Sequence, residues 1–182
     1  VDNIIIVGAM ANNFLTFNGF IVGKSLLEKD TKEIIGNIYA EAEKYNCNIF
    51  IPEDCSVSND FDGSRKIKKL ESIGKEEIIL DIGPETIKRI ESIIDKSRTV
   101  LWNGPAGYFE NKNFLTGTLA IAKKISESTS KNSLISILGG GDTISAINKS
   151  KDNFAFTHLS TAGGAFLEFL EGKDLPGLNV LK

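Results

Sequence analysis

Residues 134–146 read LISILGGGDTISA, and this stretch decides the fold. Leu134, Ile135, Ile137 and Leu138 form a short apolar run, dense enough for a strand buried on both faces, as in parallel sheets. Gly139, Gly140 and Gly141 follow at once, then Asp142 and Thr143, then helical spacing. Glycine permits positive φ and lets backbone N–H groups approach a ligand with no side chain in the way. At the C-terminal end of a parallel strand, facing a helix N-terminus, that geometry suits phosphate oxygens. Asp142 adds a hard oxygen ligand of the kind magnesium prefers, and Thr143 adds a hydroxyl. A plainer reading stands beside this one: a tight strand-to-helix turn with Asp142 as the helix cap. The dinucleotide fingerprint fails, because Ile144 stands where its last glycine belongs.

Outward from this stretch, strand and helix patterns alternate. Residues 3–7 read as a buried strand that turns at Gly8 into a helical segment through Phe17. Gly23-Lys24-Ser25 ends like a Walker A loop, but the earlier glycine that motif needs would be Asn18. Asp30 to Glu33 has capping-box spacing, with Asp30 as N-cap, before a helix ending near Asn46. A short strand follows at 48–51. Residues 53–77 read as a polar loop, with Arg65, Lys66, Lys68 and Lys69 forming a solvated basic run. The spacing then predicts a strand at 78–82, a helix opened by Pro84, a strand at 99–102 and a helix at 118–125. A Ser/Lys-rich turn is expected at 127–133, a last short strand at 154–156 and a final helix at 165–171. The pattern is that of a doubly wound, Rossmann-like α/β fold, a parallel sheet with helices on both faces in three layers. In such folds ligands bind beyond the carboxyl ends of the strands.

Length and composition narrow the function. At 182 residues one well-packed domain is expected, with 41% hydrophobic and 25% charged residues. A net charge of −3 leaves no electrostatic footprint for nucleic acid or an anionic membrane surface. Cys47 and Cys55 make neither a disulfide framework nor a zinc site, and reduced cytoplasmic thiols account for them. No apolar run approaches membrane-spanning length. The chain opens on Val1 rather than methionine, which predicts one part of a longer chain.

Three loops follow strand ends: 103–110, 139–143 and 160–164. They are expected to converge on one edge. Together they carry backbone N–H groups, Asp142, the hydroxyls of Thr143 and Thr161, the amide of Asn103 and a second carboxylate, Glu110. That is the inventory for a magnesium nucleotide. No serine or cysteine nucleophile stands in a base-paired arrangement, and the single histidine, His158, reads as structural.

The segments VGAMANNF (7–14), VGKSLLEKD (22–30), LDIGPETI (80–87), LWNGPAGYFE (101–110), LGGGDT (138–143) and THLSTAGGAFLEFLEGKDLPGL (157–178) resemble the C-terminal half of phosphoglycerate kinases, in the family's order. The resemblance implies that Asp142 holds the Mg2+ of ATP or ADP, and that Thr143 and Asn103 contact the phosphates beside the Gly139-Gly140-Gly141 run. It implies that Glu110 binds the ribose hydroxyls, and that Gly8, Leu80, Pro105, Gly107 and Tyr108 line an adenine slot. Gly163 and Gly164 would give N–H groups to the phosphoryl group in transit. Val7-Gly8-Ala9 stands where the family usually has three glycines, and Ala162 replaces the first glycine of a triple-glycine turn. The family's N-terminal half, which binds 3-phosphoglycerate and supplies an arginine, would be the partner, in cis or in trans. The first strand of the family's nucleotide domain, with its lysine, is likewise outside this sequence. This chain alone is therefore expected to be inactive, the alternative being a non-catalytic nucleotide-binding remnant or an interaction module.

Overall fold

The computed structural model describes residues 1–162 and 164–180. Cα packing groups them into two compact units, Val1–Ile93 with Pro105–Ile121, and Ile94–Gly104 with the chain from Ala122 onward.

In the first unit β1 (Asn3–Ile5) leads through α1 (Gly8–Phe17) and α2 (Lys32–Lys44) to β2 (Asn48–Phe50). β1 and β2 pair in parallel, Asn3 opposite Asn48 and Ile5 opposite Phe50. Parallel pairing demands such a crossover, because a hairpin turn cannot return the chain in the same direction. Ile6, Ala11, Phe14 and Ile35 form the core beneath it, with Ile4, Ile38 and Ile49 packed against them. The capping box expected at residues 30–33 does not form. Thr31 takes the N-cap position without a side-chain bond, because Asp30 sits in the left-handed region at φ 57° and is spent on the preceding turn.

The stretch 53–77, expected as a loop, instead supplies two of the three strands of an antiparallel sheet. β3 (Asp54–Ser58) runs between β4 (Lys66–Lys69) and β5 (Ile78–Ile82). β3 is buried along its whole length although three of its five residues are polar. Each polar side chain has an internal partner, which removes the cost of burying it. Asp54 caps α3 (Pro84–Lys96), accepting from Glu85 N at 3.1 Å and Thr86 N at 2.8 Å. Ser56 Oγ donates to Ile82 O at 3.2 Å and accepts from Arg65 Nε at 2.9 Å. Ser58 Oγ lies 3.5 Å from Asp60 N. The basic run is likewise only partly solvated. Lys68 pairs with Glu77 at 2.9 Å, and the Lys68 and Gly74 hydrogen bonds hold the Glu77 carboxyl below its ordinary range.

Gly23-Lys24-Ser25 proves to be a hook onto β5. Gly23 forms a bridge to Ile78, Lys24 N donates to Glu77 O at 2.8 Å, and Ser25 Oγ accepts from Ile79 N at 2.8 Å. Leu15, Val22, Cys55, Val57, Leu70 and Ile73 close the second core of this unit.

The second unit holds a parallel sheet of β6 (Thr99–Asn103), β7 (Ile135–Gly139) and β8 (His158–Leu159), in that order. Trp102, Ile125, Leu134, Leu138, Ala146 and Ile147 are buried around it. The last strand is not at residues 154–156. Phe154 and Phe156 pack against each other at 6.4 Å, and the chain reaches the sheet through side chains. Ser126 Oγ takes Ala155 N at 2.8 Å, and Ser136 and Thr157 exchange bonds at 3.0 Å. Backbone pairing begins only at His158, opposite Ile137. The turn expected at 127–133 is also shorter than anticipated. α4 (Thr116–Ser130) runs through most of it, helped by Thr129 Oγ1 donating back to Ile125 O at 2.8 Å. α5 (Gly141–Asn148), α6 (Gly164–Leu170) and α7 (Pro176–Asn179) complete the chain. The fold is α/β, with parallel sheets and helices, and it carries one antiparallel three-stranded sheet besides. Among the described residues no helix is long and apolar enough to cross a membrane.

Candidate functional site

In the second unit the site is built on the register of two strands. β6 and β7 run parallel with Asn103 opposite Gly139, so both loops leave the sheet at the same end. The three glycines after β7 have different reasons to be glycine. A Cβ on Gly139 would stand 2.7 Å from the Phe166 ring. Gly140 has φ 90°, and its Cβ would meet Asn103 Oδ1 at 2.6 Å. Gly141 has open space and an ordinary φ, so the fold itself does not demand glycine there. Gly140→Ala forces a left-handed alanine onto Asn103 and should cost about 1–2 kcal/mol from strain alone. The urea midpoint measures that loss.

The helix cap of α5 is Gly140, which makes no side-chain bond. Asp142 lies inside the first turn and is exposed. The plain reading of Asp142 as the cap therefore fails. Its carboxylate stands beside first-turn N–H groups that have no acceptor within the helix. Thr143 is fully buried, and its hydroxyl accepts from Gly104 N at 2.7 Å. It ties the 103–104 turn to α5 rather than facing outward. Trp102 Nε1 donates to Gly104 O at 2.7 Å and fixes the same turn from below. Among the described residues no group of three or more His, Cys, Asp or Glu could cage a metal. One exposed carboxylate at a helix N-terminus is nonetheless a donor set that fits magnesium, which keeps several waters and needs few protein ligands.

Gly164 opens α6 and is exposed, with nothing near the position of a Cβ. Gly163 lies outside the described residues. The non-glycine residues with positive φ among those described are Asp30, Asn46 and Asn132. Ala162 thus occupies backbone that alanine accepts. His158 is exposed on β8 and not buried as a structural histidine would be.

The first unit gathers the other candidates. Gly8 has φ 65°, and a Cβ there would stand 2.9 Å from Pro105 O. Gly8 N donates to Ala106 O at 3.2 Å, and Tyr108 N donates to Leu80 O at 2.6 Å. Ala106 N is held by the buried Thr118 hydroxyl at 2.9 Å. These bonds bring Gly8, Leu80, Pro105, Gly107 and Tyr108 together. Tyr108 and Glu110 line a cleft of about 400 Å³ with Asp62, Asn111 and Lys112. The Tyr108 ring packs on Phe61 with centroids 5.0 Å apart, and Asn111 Nδ2 donates to Phe61 O at 2.9 Å.

Phe61, Asp62, Asn111 and Lys112 were not legible as site residues. The only signal was an aromatic residue inside the polar run Asn59–Asp62. Asp81 was also missed. It is 2% exposed at the end of β5, and burial pushes its carboxyl up to about 7 against the opposing pull of the Gly117 and Ile82 N–H groups and of Arg65.

The phosphoglycerate kinase family model matches residues 1–173. A phosphoglycerate kinase of Zymomonas mobilis is 43% identical over the whole chain, which spans 46% of that relative. One from a Wolbachia of Drosophila simulans is 46% identical with the same coverage. The solved phosphoglycerate kinase of Coxiella burnetii superposes with a TM-score of 0.91 at 36% identity, over all of this chain and 47% of that one. The chain spans about half the length of the curated relatives it matches. It belongs to the phosphoglycerate kinase family.

Proposed function

We propose that this chain is the nucleotide-binding half of a phosphoglycerate kinase, a cytoplasmic glycolytic enzyme. That enzyme moves a phosphoryl group between 1,3-bisphosphoglycerate with ADP and 3-phosphoglycerate with ATP. The observation that supports this most is the end of β7. There an exposed Asp142 and an unblocked Gly141 stand at a helix N-terminus, in a chain whose family match covers 173 residues.

In this reading Gly8, Leu80, Pro105, Gly107 and Tyr108 contact adenine and Glu110 the ribose hydroxyls. First-turn N–H groups of α5 and the Asn103 amide would donate to phosphate oxygens, and the buried Thr143 holds the turn that presents Asn103. Asp142 would hold magnesium, which when bound neutralises charge on the phosphate oxygens. Gly163 and Gly164 would offer N–H groups to the phosphoryl group as it leaves. Phosphoryl transfer needs no covalent help from the protein, only alignment and charge stabilisation. The acceptor carboxylate and its cationic site belong to the N-terminal half of the relatives, so this chain turns over only with that half in cis or in trans.

Titration with ADP tests the nucleotide reading. Magnesium should tighten ADP binding to the wild-type chain about tenfold, or ~1.4 kcal/mol. In Asp142→Ala that gain should vanish while the fold is retained. Equal sensitivity to magnesium in both proteins contradicts the metal assignment.

A further inference from the structure

The cleft that carries Tyr108 and Glu110 has a second wall, and one side chain holds that wall in place. Residues 59–62 turn between β3 and β4, and Asp60 shapes the turn by accepting from Asp62 N at 3.0 Å. Phe61 stands half exposed on it and meets the Tyr108 ring with centroids 5.0 Å apart and planes at 58°. Asp62 lines the cleft beside it. Arg65 ties the far side of the same connection to α4, Nη1 donating to Thr116 Oγ1 at 3.0 Å. A single tilted contact between two partly exposed rings holds a surface turn only modestly.

Asn111 spans the two walls. Its Nδ2 donates to Phe61 O at 2.9 Å, and its Oδ1 accepts from Asn113 N at 2.9 Å. The second bond caps the short helical turn Lys112–Phe114, whose Phe114 is fully buried. Asn111 N also donates to Tyr108 O at 3.3 Å. The partners fix the orientation of the amide, since the Asn113 N–H needs an oxygen and the Phe61 carbonyl needs a donor. One end of this clamp is therefore anchored in the core through Phe114, and the other grips a surface turn. Both polar atoms of the side chain are engaged within the protein, so Asn111 holds the cleft rather than what fills it.

We propose that Asn111 is a positioning residue: it clamps the 59–62 turn onto the Tyr108 segment and so sets the width of the cleft that receives the nucleoside. The identity of the occupant rests on the nucleotide reading above. A cleft of about 400 Å³ is of the size that takes a small-molecule group. A ligand that met an unclamped turn would have to order it, and that ordering cost is taken from affinity. The clamp removes the cost in advance. Closing the turn and binding the nucleoside favour the same arrangement, so each strengthens the other.

Two variants of the 182-residue chain separate the clamp from the cap. Asn111→Ser keeps a capping oxygen for Asn113 N and loses the reach to Phe61 O, whereas Asn111→Ala loses both. Adenosine affinity should fall about fivefold in each, and cross-relaxation between the Phe61 and Tyr108 ring protons should weaken in each. The urea midpoint should fall in the alanine variant alone. Wild-type adenosine affinity in Asn111→Ser overturns the proposal, because the cap then suffices. Affinity losses that follow the urea midpoint overturn it as well, because general destabilisation then explains them. No adenosine binding to wild type overturns the nucleotide reading itself, and the positioning role falls with it. Should a variant fail to fold, the wild type decides. Its Asn111 side-chain amide protons should exchange about threefold more slowly with adenosine bound, and exchange indifferent to adenosine overturns the clamp.

Discussion

Asp54→Ala is expected to lower the stability of the chain by about 3 kcal/mol, since it removes a helix cap and several bonds to a charged group at once. Asp54 is 2% exposed. It accepts from Glu85 N and Thr86 N, two of the first-turn N–H groups of α3 that have no acceptor within the helix. The Thr86 hydroxyl donates to Asp54 Oδ1 at 2.8 Å and accepts from Glu53 N at 2.9 Å. With alanine the Glu85 and Thr86 N–H groups lose the carboxylate that accepts from them. A carboxylate at a helix N-terminus also gains from the helix dipole, which alanine forfeits. Asp54→Asn keeps one acceptor oxygen and should recover about half of the loss. Urea denaturation of the three proteins measures the series. An alanine variant within about 0.5 kcal/mol of wild type would refute the cap, because that is the range of an ordinary surface change.

Gly107→Ala is the second large effect. Gly107 is not held by backbone conformation but by space. Its Cβ would stand 2.6 Å from each of Asp81 Oδ1, Leu80 O and Phe114 O. Two of those three atoms are backbone carbonyls, and one of them accepts the Tyr108 N–H. None can swing aside as a flexible side chain would. The added methyl must displace the loop, at about 2 kcal/mol or more, and Tyr108 moves with it. Gly141→Ala is the matched contrast, because nothing lies within 4 Å of its Cβ position and the residue is helical. It should fall within about 0.5 kcal/mol of wild type or gain slightly. Equal losses from the two alanines in thermal unfolding would mean that crowding does not explain Gly107.

The residues of 134–146 were readable because their signals agree. A run of apolar residues, a left-handed glycine and a helical period each point to a strand-to-helix turn, and β7 and α5 form there, although the strand expected to be buried on both faces leaves Ile135 exposed. Asn103 could be placed beside the glycines because parallel neighbours end together. β3 was unreadable for the opposite reason. Asp54, Ser56 and Ser58 break the apolar pattern of a buried strand, and only tertiary partners such as Thr86 and Arg65 make their burial tolerable. Those partners lie 9 to 32 residues away and leave no local trace. Residues 154–156 misled through two phenylalanines whose alternation imitates a strand, although their contact is with each other. In the first unit's cluster, periodicity gave no sign that Tyr108 would bond Leu80. The family resemblance supplied those positions, and Asp81, Phe61 and Asp62 join them only through tertiary contacts.

Manganese in place of magnesium gives the most direct measurement of the nucleotide reading, through its paramagnetic broadening of nearby amide signals. With ADP and manganese together, the signals of Gly141, Asp142 and Thr143 should broaden first, and Asp142→Ala should remove the effect. Broadening that ignores the α5 N-terminus, or that persists unchanged in the variant, would contradict the assignment of Asp142 and the phosphate role of this helix end.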